Sequence, residues 1–169
     1  MTKAGALKHA SHKGIALVCP DTSPRGLNIQ GENEHWDFGT GASFYLNATE
    51  HPWRENYQMF DYITTELPEI IKQNFNIDDN KMGIFGHSMG GHGALICGLK
   101  CPTLFKTVSA LAPLCHPVNS SFGKKAFKGY LGSLDAGKDW DACELVKKSS
   151  QPLSSPVLID QGSNLSLNA

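Results

Sequence analysis

A serine with a glycine two residues to either side, Gly86-His87-Ser88-Met89-Gly90, is the first stretch of this 169-residue chain able to do chemistry. On a sharp strand-to-helix turn such a serine is lifted above the end of a sheet, and bulky side chains two positions away would collide with the crossing backbone. The chemistry is acyl transfer. The Ser88 hydroxyl attacks a carbonyl carbon, and the N-terminus of the following helix favours the negative charge that develops on the carbonyl oxygen. Met89, directly after the nucleophile, supplies one backbone N–H to that oxyanion. A bare pattern of this kind arises by chance in roughly one chain in seven of this length and composition. Context decides the matter: Met82 to Phe85 reads as a short apolar strand, and Met89 to Leu99 as a helix rich in small residues. Gly91 and Gly93 permit that helix to pack closely. Two histidines lie nearby, but His87 adjoins the nucleophile and points away from the line of attack, while His92 lies one helical turn on. Both read as structural.

The elements that must position Ser88 follow from the hydrophobic pattern. Short apolar runs at 14–20, 82–86, 107–112 and 156–160 suit strands buried on both faces of a parallel sheet. Between them, Tyr57 to Phe75 carries a helical stripe that Pro68 kinks or restarts. Gly123 to Tyr130 and Trp140 to Lys148 read as short helices. Strands alternating with helices predict an α/β fold, a mostly parallel sheet with helices on both faces, in a single domain over 1–169. Asp21 to Trp53 shows no sustained period, and a loop of that length in a compact domain is usually functional.

Composition narrows the partners. Fifteen basic and sixteen acidic residues are spread along the chain with no basic face, which argues against nucleic acid. No apolar run approaches the ~18 residues of a membrane span, and Met1 to Lys13 lacks a signal-type stretch. Five cysteines (Cys19, Cys97, Cys101, Cys115 and Cys143) leave one over in any full pairing scheme. Cys97 and Cys101 lie four apart without a second Cys or His pair to complete a zinc site. The expectation is five reduced thiols, no metal, no cofactor and a cytoplasmic location.

Longer matches name a family. Pro20-Asp-Thr-Ser-Pro-Arg-Gly26, Trp36-Asp-Phe-Gly-Thr-Gly-Ala-Ser-Phe-Tyr45 and Phe85-Gly-His-Ser-Met-Gly-Gly-His-Gly-Ala-Leu95 closely resemble S-formylglutathione hydrolase, or esterase D, of the α/β-hydrolase superfamily. The likeness continues through Ala112-Pro113, Gly123-Lys-Lys-Ala-Phe127, Gly129-Tyr-Leu-Gly132 and Leu158-Ile-Asp-Gln-Gly162. It implies an enzyme that cleaves S-formylglutathione to glutathione and formate in formaldehyde detoxification, acts also on small carboxyl esters, and needs no cofactor. Carried over position by position, Ser88 is the nucleophile and Met89 the oxyanion donor. Trp36 and Phe122 lie near the acyl and glutathione pocket, where Lys124 and Lys125 could attract glutathione carboxylates.

The resemblance also exposes what the chain lacks. In this superfamily the triad runs Ser, then Asp or Glu, then His. The last histidine here is His116, and none follows Asp160. In register with the family the catalytic acid falls at Leu165, and Asp160 matches a neighbouring position outside the triad. The loop giving the second oxyanion N–H precedes the point matching Thr2, and Leu167-Asn-Ala169 resembles the family's own chain end, so the chain reads as truncated at both ends. His116 is the best-placed substitute base, because it follows a strand at the edge where such sites form. Two functions remain open: a member of the hydrolase family, or a catalytically inactive product acting as a binding partner of itself or of the full-length enzyme.

Overall fold

The computed structural model describes residues 5–163. Helix α1 spans Ala6–Lys13 and stops at Gly14, whose φ of 64° lets its N–H reach back to the carbonyls of Ala10 and Ser11. The sequence reading had no helix there. It placed a strand at 14–20 instead, and the structure corrects this. Those residues carry no ladder, and Ile15 and Val18 are exposed. An apolar run becomes a strand only where a neighbour takes up its backbone groups, and among the described residues none lies beside this one.

The helical stripe over 57–75 forms in three parts: α2 at Met59–Asp61, a π-helical turn at Tyr62–Glu66, and α3 at Leu67–Asn74. Pro68 sits in the first turn of α3, where its missing N–H costs least. The wide turn just before it releases the carbonyls that proline cannot serve. Strand β1 (Gly83–His87) then leads through Ser88 into α4 (Met89–Lys100), followed by β2 (Thr107–Leu111). Helices α5 (Ser121–Leu131), α6 (Leu134–Gly137) and α7 (Ala142–Lys148) precede β3 (Val157–Asp160).

The three strands pair in the order β1-β2-β3, all parallel, with His87 opposite Leu111 and Leu111 opposite Asp160. Their C-terminal ends are therefore level, and Ser88 leaves the sheet at that edge. Helix α4 covers one face, with Ala94 and Leu95 packed on Val108, Ala110 and Ile84. Helices on both faces were expected; among the described residues none covers the opposite face, which carries Phe85, Ser109 and Leu158 in one row. Phe85 is 45 % and Leu158 57 % exposed.

The largest core cluster lies away from the sheet. Phe44, Leu46, Ala48 and Trp53 from the long loop, with Tyr57 just after it, pack against Ala126, Phe127, Tyr130 and Leu131 of α5. The Tyr130 hydroxyl, buried among them, accepts from the Gly39 N–H and donates to the Ala42 carbonyl, both at 2.8 Å. That phenol holds the loop closed on the helix. All five cysteines are free thiols, and no helix of the described residues is long and apolar enough to cross a membrane.

The open sheet face makes a prediction. The isolated chain should bind a hydrophobic dye and sediment faster as concentration rises, because exposed apolar strands with free edges associate. Replacing Phe85 and Leu158 together by lysine should suppress both effects. A monodisperse monomer with no dye binding would contradict this.

Candidate active site

Ser88 has φ 56° and ψ −118°, a conformation that L-residues rarely adopt. Three backbone hydrogen bonds hold it there. Its N–H donates to the Leu111 carbonyl at 2.9 Å, and its own carbonyl accepts from His92 at 3.0 Å and Leu114 at 3.4 Å. The turn is thus tied at once to β2, to the first turn of α4 and to the segment leaving β2. Strain of this kind persists only where the surroundings over-determine it.

The glycines around it do different work. A Cβ at Gly86 would overlap the carbonyl of Gly90, and one at Gly91 would meet the Pro113 Cβ at 2.9 Å. Beside Gly90 the space is open. Sequence reasoning assigned the steric need to both glycines of the motif; the structure places it on Gly86 and Gly91. Gly93 packs on the Tyr45 ring, so its small size serves a loop rather than the sheet.

Met89 is the first residue of α4, so its N–H has no acceptor within the helix and lies at the positive end of the dipole, with no partner among the described residues. Its side chain packs on the large loop–α5 core, as do Leu114 and Phe122. Trp36 and Phe122 meet edge to face, with ring centroids 5.3 Å apart. Beside them Lys125 donates to Asp37 at 2.6 Å, and its ammonium holds the Asp37 carboxyl below its usual range. Lys124 is exposed. The structure therefore joins Trp36 to Phe122 and Lys125 to Asp37, while Phe122 and Met89 both pack on the loop–α5 core.

Asp160 stands level with Leu111, one strand beyond the strand next to Ser88. It bonds no histidine among the described residues. Leu165, where the family register puts the acid, lies outside the described residues. His87 is exposed at the end of β1. His92 is fully buried, its Nε2 3.1 Å from the Phe44 carbonyl and its Nδ1 without a partner. It braces two successive left-handed residues, Phe44 and Tyr45, at φ 55° and 53°.

His116 has a partner that sequence reasoning missed. Its Nδ1 lies 3.0 Å from both carboxylate oxygens of Asp141, which is wholly buried. Asp141 also caps α7, accepting from the Glu144 N–H at 3.1 Å, and it takes the Val118 N–H at 3.0 Å. The pattern Asp141-Ala-Cys-Glu144 is a helix-start signal that could have marked the cap. It could not have shown the histidine 25 residues earlier. Among the described residues, no hydrogen bond joins His116 to Ser88.

A strained serine above a parallel sheet edge, with a helix N-terminus behind it, is the arrangement of the α/β-hydrolase class. The chain belongs to the esterase family: residues 1–168 match the family model described as "Putative esterase". It is 56 % identical over 163 residues to an S-formylglutathione hydrolase of Mus musculus, covering 96 % of this chain and 57 % of that protein. An S-formylglutathione hydrolase of Arabidopsis thaliana is 51 % identical over 164 residues, again at 57 % of its length. Among solved structures, an S-formylglutathione hydrolase from Agrobacterium tumefaciens superposes with a TM-score of 0.84 at 47 % identity, covering 91 % of this chain and 55 % of that one. The chain thus spans little more than half the length of these relatives.

Two predictions follow from the geometry. Gly86→Ala should cost about 1–3 kcal/mol or more, since backbone must shift, whereas Gly90→Ala should be neutral or stabilising by up to about 1 kcal/mol, the helix propensity gain. Chemical denaturation of the two variants checks the contrast, and equal losses would refute the assignment.

The second concerns His92, whose pKa burial lowers from the ordinary 6.5 to about 4, against the pull of the Phe44 carbonyl. A neutral buried histidine gives stability that is complete above pH 6.5 and lost as pH falls towards 4, up to about 3 kcal/mol. Denaturation at stepped pH should show this slope in the native chain and lose it in His92→Gln. An unchanged slope in the variant would assign the acid sensitivity elsewhere.

Proposed function

We propose that this chain carries the nucleophile half of an S-formylglutathione hydrolase, with Ser88 attacking the thioester carbonyl and the Met89 N–H receiving the oxyanion. The observation that carries the reading is the strained Ser88 turn, with the unpaired amides of α4 behind it. Relatives at 51–56 % identity bearing that name support the substrate class. In this reading the thiolate of glutathione leaves, and water releases formate from the seryl ester. Small carboxyl esters would serve as alternative substrates. Trp36 and Phe122 wall the approach, Lys124 offers a free cation to the glutathione carboxylates, and the setting is formaldehyde catabolism in the cytoplasm.

A second reading is favoured by one fact: no histidine follows Asp160 in the sequence. The base that superfamily order requires is then not among the residues of this chain. His116 has an orienting carboxylate but no bond to Ser88. A serine without a base stays protonated near neutral pH. The chain by itself would then be a weak catalyst, associating with a second copy or with a full-length hydrolase.

The test is turnover of S-formylglutathione and of an activated acetyl ester by the purified chain and its Ser88→Ala variant. Removing a triad member leaves ~10³–10⁴-fold catalysis over water, and loss of one oxyanion donor costs roughly another 10²–10³. The expected result is turnover at least ~10³-fold below that of a complete relative, with the remainder abolished by Ser88→Ala. Activity that survives Ser88→Ala would remove Ser88 as nucleophile. Full activity that Ser88→Ala abolishes would show that the chain has found another base.

A further inference from the structure

The segment leaving β2 and the start of α7 come together at a cluster that the hydrolase reading does not use. The Cys143 N–H donates to the Cys115 carbonyl at 3.3 Å, which seats Asp141-Ala-Cys143 against Cys115-His116. A ring nitrogen of His116, a carboxylate oxygen of Asp141 and the thiol of Cys143 all lie within 4.8 Å of one another. We infer that these three side chains form a binding site for a zinc-type divalent cation, with the fourth position open to water.

Four features carry this assignment. The first is donor chemistry: imidazole nitrogen, carboxylate oxygen and thiolate sulfur are the ligand types zinc takes, and three protein ligands with one open position is a known zinc arrangement. The second is spacing. Bond lengths of about 2.0 Å to nitrogen and oxygen and 2.3 Å to sulfur give a tetrahedron with edges of roughly 3.3–3.6 Å. The 3.0 Å between His116 Nδ1 and the Asp141 oxygens is already close to such an edge. Cys143 closes the rest by a side-chain rotation.

The third feature is a preset second layer. The Asp141 carboxylate cannot turn, because the Val118 and Glu144 N–H groups each hold one of its oxygens; outer partners of this kind fix a ligand's direction. The His116 Nδ1 lies 3.0 Å from both oxygens, so it faces the carboxylate squarely whether a proton or a cation stands between them. The fourth is charge. Asp141 is wholly buried, and a divalent ion with one carboxylate, one thiolate and one neutral imidazole sums to zero. His116 and Cys143 are each partly exposed, which leaves a path for the ion. Bound there, the cation would pin the segment that carries Leu114, and hence the Ser88 carbonyl, to α7.

The probe is Co²⁺, titrated into the chelator-treated chain and followed by absorbance. The expected result is a saturable one-to-one complex with a thiolate-to-cobalt charge-transfer band and tetrahedral visible bands, displaced by one equivalent of Zn²⁺. Cys143→Ser should abolish the thiolate band, and His116→Ala should weaken binding at least about 100-fold. Cys101→Ser, at the residue after the end of α4, should change neither. Far-ultraviolet circular dichroism establishes that each variant is folded. No saturable band at saturating Co²⁺ in the folded chain, or a thiolate band that persists in folded Cys143→Ser, would overturn the site.

Discussion

The close passage of α4 over the end of β1 sets the position of Ser88 and of most of what surrounds it. A side chain at Gly86 would overlap the Gly90 carbonyl, and one at Gly91 would press on Pro113. With both glycines in place the chain can reverse from strand to helix in one residue, and that residue takes the strained φ of 56°. The N–H of Ser88 is then spent on Leu111, and its carbonyl on His92 and Leu114. Its hydroxyl makes no hydrogen bond among the described residues. The placing of the Ser88 side chain is thus a consequence of packing and backbone bonding, at the start of α4.

Around this turn the molecule has two unequal halves. The loop–α5 side is closed: Tyr130 bonds Gly39 and Ala42, His92 bonds Phe44, and a cluster of aromatic rings fills the space between. The sheet side is open, with α4 on one face and an exposed apolar row on the other. Parallel sheets normally bury both faces. Stability should therefore reside in the aromatic half and in the α4–sheet contact, with β3, exposed at all four residues, the weakest element.

How much of this could be read from the sequence depends on how local the cause was. The three strands lie within a residue of their expected limits, and α4 begins at the residue after Ser88, because short apolar runs and glycines act locally. The run at 14–20 failed for the opposite reason: its apolar residues suit a strand, but a strand also needs a neighbour. Helix α1 was missed because its sequence has no apolar stripe, only a glycine stop. In the long loop, the phenol of Tyr130 reaches back 91 residues to Gly39; no spacing rule reveals such a bond. The Asp141–His116 pair was hidden likewise. Of the candidate site, the Ser88 turn and the helix start at Met89 were legible as a motif, whereas the partners around them depend on distant chain segments meeting.

The proposed role of Ser88 as acyl acceptor rests on its turn, with no histidine bonded to it among the described residues. Intact-mass and peptide-mass analysis of the chain after exposure to an activated acetyl ester tests this most directly. The account predicts a single acetyl group on Ser88 that forms slowly and persists, since among the described residues no histidine is bonded to Ser88 to activate water for its release. Acetylation confined to surface lysines with Ser88 unmodified, or an adduct on Ser88 that turns over as fast as it forms, would contradict it.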